Sequence, residues 1–162
     1  MMTADLVVAT ARLWLGTPYH DQASLRGVGC DCLGLARGVW REVVGDEPFP
    51  IPPYSRDWGE TGQREVLAEG ARAMMPEIAP TKAGPGTLIL FRMTPRAIAK
   101  HVGILTAPDR FIHAYERLGV VEETLTPIWR RRIAFGFLFP EHANSQSNGI
   151  PSVQASTGPV RK

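Results

Sequence analysis

The pattern of apolar residues changes at Gly86, and this change limits the fold more than any other feature. Before Gly86 the apolar residues recur at helical spacing, whereas after it they form short runs typical of β-strands. The gaps between these runs are short and hold turn residues such as Pro108 and Gly119, which favours antiparallel pairing. We therefore predict an α+β domain with N-terminal helices packed on one face of an antiparallel sheet of about five strands, at 87–93, 101–106, 110–115, 120–125 and 132–139.

Three helices are predicted in the first half of the chain. Thr3 can cap the first, which ends before the breakers at residues 16–18. The second begins after Asp31 as N-cap and extends to Gly45, so Cys32 falls in its first turn. An amphipathic pattern predicts the third helix over residues 63–74.

Composition and charge narrow the possible functions. The chain has 162 residues, of which 44% are hydrophobic and 21% charged, and this is typical of one soluble globular domain. We expect the domain to cover residues 1–140 and a polar, flexible tail to cover residues 141–162. A net charge of +2 without a dense basic stretch argues against nucleic acid as a partner. Two cysteines one residue apart do not suit a disulfide framework.

The N-terminal segment shows no targeting signal. It lacks a basic n-region, and Arg12 interrupts the apolar run that follows. We therefore expect neither a secretory signal nor a membrane span, and a protein made in the cytoplasm. If its substrate lies outside the cytoplasm, another structure must deliver it.

One cysteine and two strand histidines are the candidate catalytic residues. A helix N-terminus and a nearby imidazole both favour the thiolate form of a cysteine, so Cys32 is a candidate nucleophile. If strands 101–106 and 110–115 pair symmetrically about Pro108, His101 lies near Tyr115 and His113 lies near Gly103. The two imidazoles are then diagonal neighbours on one face of the sheet. The sequence thus predicts a thiolate, an imidazole base and a second polar group that orients the base.

Five motifs, spread over most of the chain, resemble those of the NlpC/P60 cell-wall cysteine peptidases. That family has Asp-Cys-Ser-Gly-Leu at a helix start, His-Val-Gly-Ile on one strand and Phe-Ile-His-Ala on the next. The matching segments here are Asp31-Cys32-Leu33-Gly34-Leu35, His101-Val102-Gly103-Ile104 and Phe111-Ile112-His113-Ala114. Leu15-Gly16-Thr17-Pro18-Tyr19 and the segment 85–91 also look like the family.

The resemblance implies a papain-like fold and hydrolysis of peptidoglycan stem peptides, typically between D-glutamate and diaminopimelate, without a metal or other cofactor. It makes Cys32 the nucleophile, His101 the base and His113 the residue that orients the base. It also places Tyr19 and Asp31 in the substrate and oxyanion region. The motif style looks most like peptidases of phage tails and gene transfer agents. Peptidoglycan is then the main partner, tail or baseplate proteins could bind the C-terminal tail, and the protein is carried in a virion or phage-like particle.

Two positions depart from the family pattern. Leu33 replaces the serine that follows the nucleophile, so recognition of a free amino terminus on the substrate is not implied. Cys30 is an added thiol, either a small buried hydrophobe or a group that could trap Cys32 under oxidation.

Other interpretations remain open at this stage. Cys30, Cys32, His101 and His113 together could form a zinc site, although a single residue between the cysteines is shorter than usual. The basic run 130–132 is either a solvated strand entry or a contact for peptidoglycan carboxylates or a neighbouring subunit. The chain could also be a structural component of a tail assembly that retains the peptidase fold.

Overall fold

The computed structural model describes residues 2–48 and 64–141. Over these residues the helices are α1 Met2–Leu13, α2 Cys32–Val43, α3 Val66–Arg72 and α4 Pro127–Arg132, with a 3₁₀ turn at Pro80–Lys82. The strands are β1 Ser24–Leu25, β2 Gly29–Cys30, β3 Glu77–Ile78, β4 Thr87–Phe91, β5 His101–Ala107, β6 Arg110–Tyr115, β7 Gly119–Thr124 and β8 Ile133–Leu138.

The main sheet is antiparallel and has the strand order β3-β8-β4-β5-β6-β7. The α+β prediction is confirmed, and β4 to β7 form the predicted meander. Two features differ from the prediction. Strand β8 returns to pair with the free side of β4, and the two-residue strand β3 adds a sixth member at the edge. Strands β1 and β2 form a separate small hairpin immediately before α2.

The β5–β6 hairpin has the predicted register. Ile104 pairs with Ile112 and Leu105 with Phe111, so the pairing is symmetric about Pro108. A bulge between Leu105 and Ala107 shifts the pairing next to the turn. Because residues two apart share a face of a strand, this register places His101 and His113 on the same face.

Helices α1 and α2 pack on one face of the sheet, as predicted. Trp14, which directly follows α1, and Leu35 of α2 meet alternate residues of the strands, such as Leu90 and Ile104, in one large apolar core. The opposite face is also covered, because a second apolar cluster forms there around Ile89, Phe91, Leu105, Phe111 and Leu125, with Trp129 of α4 packed against it. The sheet is therefore buried on both faces near the histidines.

Several local predictions can be compared with the structure. Asp31 is the N-cap of α2, and Gly45 after its C-terminus has a positive φ of +132°, both as predicted. Helix α3 lies inside the predicted span 63–74. The run 130–132 belongs to α4 instead of a strand entry, because Pro127 and the capping residue Thr126 begin a short helix there.

Some predictions lie outside the described residues. They concern the tail after Glu141 and the start of the predicted third helix at residue 63. In the part of the chain that the structure describes, every helix is too short or too polar to cross a bilayer.

The contact between α2 and Trp14, the residue that follows α1, depends on a glycine. A Cβ at Gly38 would lie 2.0 Å from Cζ2 of Trp14, and this indole is itself buried. We expect Gly38→Ala to lower the free energy of unfolding by about 1–3 kcal/mol, because the ring or the helix must shift. Gly70→Ala in α3 is the matched control. It meets nothing within 4 Å and should be neutral or stabilising by up to about 1 kcal/mol. Urea unfolding measures both, and equal effects would contradict the close packing at Gly38.

Candidate active site

Asp31 holds the start of α2, where Cys32 is the first helical residue. Its Oδ1 accepts a hydrogen bond from the Gly34 N–H at 2.7 Å, and its Oδ2 accepts from the Gln22 N–H at 2.7 Å. The side chain is only 3% exposed. Both carboxylate oxygens therefore accept from backbone amides, which anchors the N-terminal end of the helix to the preceding loop.

Gly34 lets that loop approach the helix. A Cβ at this position would lie 1.8 Å from the carbonyl oxygen of Ala23, so no other residue fits without moving the backbone. The Ser24 hydroxyl also donates to the Gly34 carbonyl at 2.6 Å. The glycine of the 31–35 motif thus has a packing role that fixes Cys32 relative to the loop.

The segment before the nucleophile lies alongside β2. The Cys30 N–H donates to the Pro18 carbonyl and the His20 N–H donates to the Cys30 carbonyl, both at 3.0 Å. Tyr19 therefore sits beside Cys30, half-buried and packed against the main core. Tyr19 therefore lies beside the residue two positions before Cys32.

The sulfur of Cys32 contacts the beginning of β5. Its Sγ lies 3.7 Å from the carbonyl oxygen of Lys100 and also faces the N–H of Val102. These two residues are the chain neighbours of His101. The sulfur of the predicted nucleophile therefore lies against the backbone on both sides of the predicted base, which is 69 positions later in the chain.

The two histidines contact each other directly. Nε2 of His101 lies 2.7 Å from Nδ1 of His113, which confirms the predicted proximity on one face of the sheet. The ring of Tyr115 lies 5.8 Å from that of His101, as the register requires. The second nitrogen of His113, Nε2, is hydrogen-bonded to Oε2 of Glu123 on β7. A continuous series of polar contacts therefore leads from His101 to a carboxylate.

Aromatic rings enclose the imidazole pair. The ring centroid of Trp129 lies 5.7 Å from that of His101 and 5.1 Å from that of His113, and Phe111 lies 4.5 Å from His113. His113 is fully buried and His101 is 9% exposed. The imidazoles therefore have apolar surroundings in which charge is poorly solvated.

The comparisons with known proteins agree with this geometry. The sequence model of the NlpC/P60 family matches residues 16–137, a span that includes the cysteine, both histidines and Glu123. The chain belongs to the NlpC/P60 family. This membership and the assembled Cys and His side chains support an enzyme of the cysteine-peptidase type.

Two curated relatives of this NlpC/P60 chain are named as hydrolases. The chain is 28% identical over 113 residues to a gamma-DL-glutamyl hydrolase of Bacillus subtilis, covering 69% of this chain and 24% of that protein. It is 27% identical over 120 residues to the murein DD-endopeptidase MepS/murein LD-carboxypeptidase of Escherichia coli, covering 74% of this chain and 54% of that protein. The chain thus spans between about a quarter and about half of the length of these relatives.

Solved structures share the fold. The NlpC/P60 domain of the peptidoglycan hydrolase SagA has a TM-score of 0.56 at 22% identity, with 83% of this chain and 97% of that chain covered. An NlpC/P60 protein of Bacillus cereus has a TM-score of 0.59 at 20% identity, with 84% and 40% covered. At these identities the likeness concerns the fold alone.

Burial sets the charge state of this NlpC/P60 site. It raises the pKa of Cys32 to about 12, and the nearby Asp31 carboxylate acts in the same direction, while the N–H groups of Val102, Leu33 and Cys32 oppose it. Burial also lowers the pKa of His101 to about 3, assisted by His113 and Arg132. The pKa of His113 is lowered by burial against the opposing effect of Glu123. These pKa directions favour a thiol and a neutral imidazole at rest over the thiolate expected from the helix N-terminus, because desolvation opposes both charged forms.

The zinc interpretation does not agree with the arrangement of the four residues. His101 and His113 direct Nε2 and Nδ1 at each other, and the remaining nitrogen of His113 is bonded to Glu123. Cys30 is fully buried in the main core, where burial raises its pKa to about 12. Among the described residues, no three or more His, Cys, Asp or Glu side chains group to hold a metal ion. Cys30 thus fits the reading of a small buried hydrophobe.

Glu123 is the residue that sequence reasoning missed. On β7, Val121 pairs with His113 and Glu123 pairs with Phe111, so Glu123 lies diagonally across from His113 on the same face. The strand run at 120–125 was predicted, but its register against β6 depends on a turn with positive φ at Arg117 and Gly119. Alternation along the strand was the one available signal, because it directs Glu122 and Glu123 to opposite faces.

The pH dependence of alkylation tests the resting charge state. Because the pKa of Cys32 is raised, the thiolate fraction and the rate of reaction with iodoacetamide should increase by nearly tenfold per unit between about pH 6 and pH 9. The rate is measured by mass spectrometry in Cys30→Ala, so that one thiol remains. A rate that is already constant below about pH 7 would contradict the prediction and indicate a preformed thiolate–imidazolium pair.

Proposed function

We propose that this protein is a cysteine endopeptidase that hydrolyses peptidoglycan stem peptides at the bond between D-glutamate and diaminopimelate. The observation that carries the proposal is the position of the Cys32 sulfur against the backbone on both sides of His101, whose ring bonds to His113. Family membership supports the reaction class. The gamma-DL-glutamyl hydrolase and murein endopeptidase among its relatives support glutamyl and cell-wall peptides as the substrate class.

The proposed reaction is acyl transfer through a thioester. His101 accepts the proton of the Cys32 thiol at Nδ1 while the sulfur attacks the scissile carbonyl carbon. The tetrahedral intermediate collapses, the C–N bond breaks, and His101 donates that proton to the leaving amine. Water then attacks the thioester with His101 as base, which releases the carboxylic acid and restores the thiol.

Backbone amides at the start of α2 are the proposed oxyanion donors. The N–H groups of Cys32 and Leu33 face the sulfur. When the sulfur attacks the substrate, negative charge develops close by, on the oxygen of the scissile carbonyl group. We propose Tyr19 as an additional substrate contact because its segment flanks the nucleophile. Asp31 has a structural role instead of contacting the oxyanion. Its two oxygens accept from backbone amides, and a carboxylate would repel an oxyanion, so it positions the helix start.

Digestion of purified sacculi identifies the bond. Cleavage between D-glutamate and diaminopimelate leaves stem dipeptides on the glycan and exposes a new amino group on diaminopimelate, and mass spectrometry detects both. Release of cross-link monomers or of terminal D-alanine would instead assign a DD- or LD-specificity and overturn the proposed bond. Cleavage of glycan strands would place the protein in a different enzyme class.

Single substitutions should separate the roles of the three side chains. Cys32→Ala and His101→Ala should reduce turnover by at least about a thousandfold, because the nucleophile or the base is lost. His113→Ala should leave a residual rate, roughly a hundredfold below the parent, because orienting a base contributes less than supplying it. Turnover is measured on sacculi with soluble products quantified by chromatography.

Cys30→Ala is the control, since it removes a thiol two residues from the nucleophile but lies in the core. It should keep turnover within a few-fold of the parent, provided that thermal unfolding shows a folded protein. Full clearing of cell wall by Cys32→Ala would refute the assignment of the nucleophile.

We also propose the domain boundary and the route of delivery. Residues 1–140 form the peptidase, and the tail 141–162 contacts proteins of a phage or phage-like tail, which carries the enzyme to the cell wall. The motif style supports this route. Mass spectrometry of purified particles tests it, since the protein should co-purify with tail components, and a chain ending at Pro140 should keep turnover but be absent from particles. Incorporation without any turnover in the parent would favour the structural role.

A further inference from the structure

The carboxylate of Glu123 lies at the outer end of the histidine pair, outside the motifs that identify the family. Glu123 belongs to β7, and its Oε2 is hydrogen-bonded to Nε2 of the fully buried His113. The Glu123 side chain is 38% exposed, so it connects a buried imidazole to the solvent-facing edge of the site. A contact of this kind can determine which nitrogen of an imidazole carries the proton.

We propose that Glu123 is a positioning residue that fixes the tautomers of both histidines and thereby leaves Nδ1 of His101 as the base for Cys32. The catalytic consequence rests on the proposed peptidase function, whereas the effect on the tautomers does not. Neither histidine motif would indicate this residue, because it lies on the next strand.

The hydrogen-bond inventory of the three groups supports this assignment. An ionised carboxylate only accepts, so Nε2 of His113 must be the protonated nitrogen. In a neutral His113 the other nitrogen, Nδ1, then has a lone pair and accepts from Nε2–H of His101 across 2.7 Å. Since Nε2 of His101 carries its proton, Nδ1 is left unprotonated. One carboxylate therefore sets the state of an imidazole that it does not touch.

The same arrangement supports the charge that forms during attack. When the Cys32 proton reaches Nδ1 of His101, the imidazolium donates through Nε2 to His113, and His113 donates to Glu123. No proton has to move to the carboxylate; its negative charge stabilises the cation through the intervening ring. This matters because the rings of Trp129 and Phe111 provide little solvation for a buried positive charge.

Other groups that face the pair do not substitute for this carboxylate. Arg132 is a cation that lowers the pKa of His101 and stacks over the Trp129 ring at 4.8 Å. Tyr115 packs edge-on against His101 and tilted against His113, and its ring centroid lies 5.3 Å from that of His113. The Cys32 thiol contacts the backbone of Lys100 and Val102, on either side of His101. Among these neighbours from α2, β5, β6, β7 and α4, Glu123 is the anion bonded to the pair.

Glu122 provides a matched control on the same strand. It points to the opposite face, where its Oε1 accepts from Nη2 of Arg12 at 3.1 Å, and its side chain is 18% exposed. Glu122→Gln and Glu123→Gln make the same chemical change at adjacent positions. Only the second alters the histidine pair, because a glutamine amide can accept from or donate to His113 and no longer dictates the tautomer.

The experiment combines a tautomer measurement with kinetics on the full-length protein. Nitrogen-15 NMR of labelled histidines at neutral pH should show the Nε2–H tautomer for both His101 and His113 in the parent and in Glu122→Gln. In Glu123→Gln and Glu123→Leu both rings should show mixed or reversed tautomers. On sacculi, kcat should fall roughly tenfold or more in both Glu123 variants with KM little changed. It should stay within about twofold in Glu122→Gln and recover in part in Glu123→Asp.

The outcomes separate this proposal from the proposed function. Unchanged tautomers in Glu123→Leu would overturn it, even if that variant loses activity. Equal losses of kcat in Glu122→Gln and Glu123→Gln would overturn it as well, since they indicate a general effect of charge or stability. If the parent does not cleave stem peptides but the tautomers respond to Glu123, the peptidase proposal fails and the positioning role is supported.

Discussion

The packing of the start of α2 against the first residues of β5 is the contact on which the site depends. It joins the sulfur of Cys32 to the carbonyl of Lys100, 68 positions later in the chain. Several independent features hold the helix start in place. The Asp31 cap satisfies amides on both the helix and the loop, Gly34 admits the loop carbonyl, and Gly38 accommodates the Trp14 ring farther along. A sub-ångström change in any of them would alter the approach of the sulfur to His101.

Burial makes the hydrogen bonds of the histidine pair obligatory. A fully buried imidazole without partners would be costly, and both nitrogens of His113 are bonded. The same burial disfavours the charged forms of Cys32, His101 and His113, which favours a neutral thiol and neutral imidazoles at rest. In the proposed mechanism, charge develops during the reaction and is stabilised by the amides at the start of α2 and by the carboxylate of Glu123. A preformed thiolate–imidazolium pair is disfavoured by these surroundings. They favour a base that becomes charged only when the sulfur attacks the substrate.

The face of the sheet opposite α1 and α2 is also covered, and its cover surrounds the two histidines. Helix α4 places Trp129 over both imidazoles, and the strands beneath contribute Phe91 and Phe111. This aromatic cover packs against both imidazoles and gives them apolar surroundings. The three motif residues Cys32, His101 and His113 lie on one helix and two adjacent strands. Glu123 extends this arrangement by one strand through a contact between side chains.

Local sequence determined the elements and most of the site. The switch at Gly86 indicated helices followed by an antiparallel sheet, Asp31 indicated where α2 begins, and the symmetry about Pro108 brought His101 and His113 together. These features depend on short-range pattern, capping and turn length, which a sequence carries directly. The tertiary structure alone decided the rest. The return of β8 to β4, the cover by Trp129, the protonated resting thiol and the contact of Glu123 all depend on long-range register and on desolvation. Both arise only when distant segments pack, so no single stretch of sequence contains them.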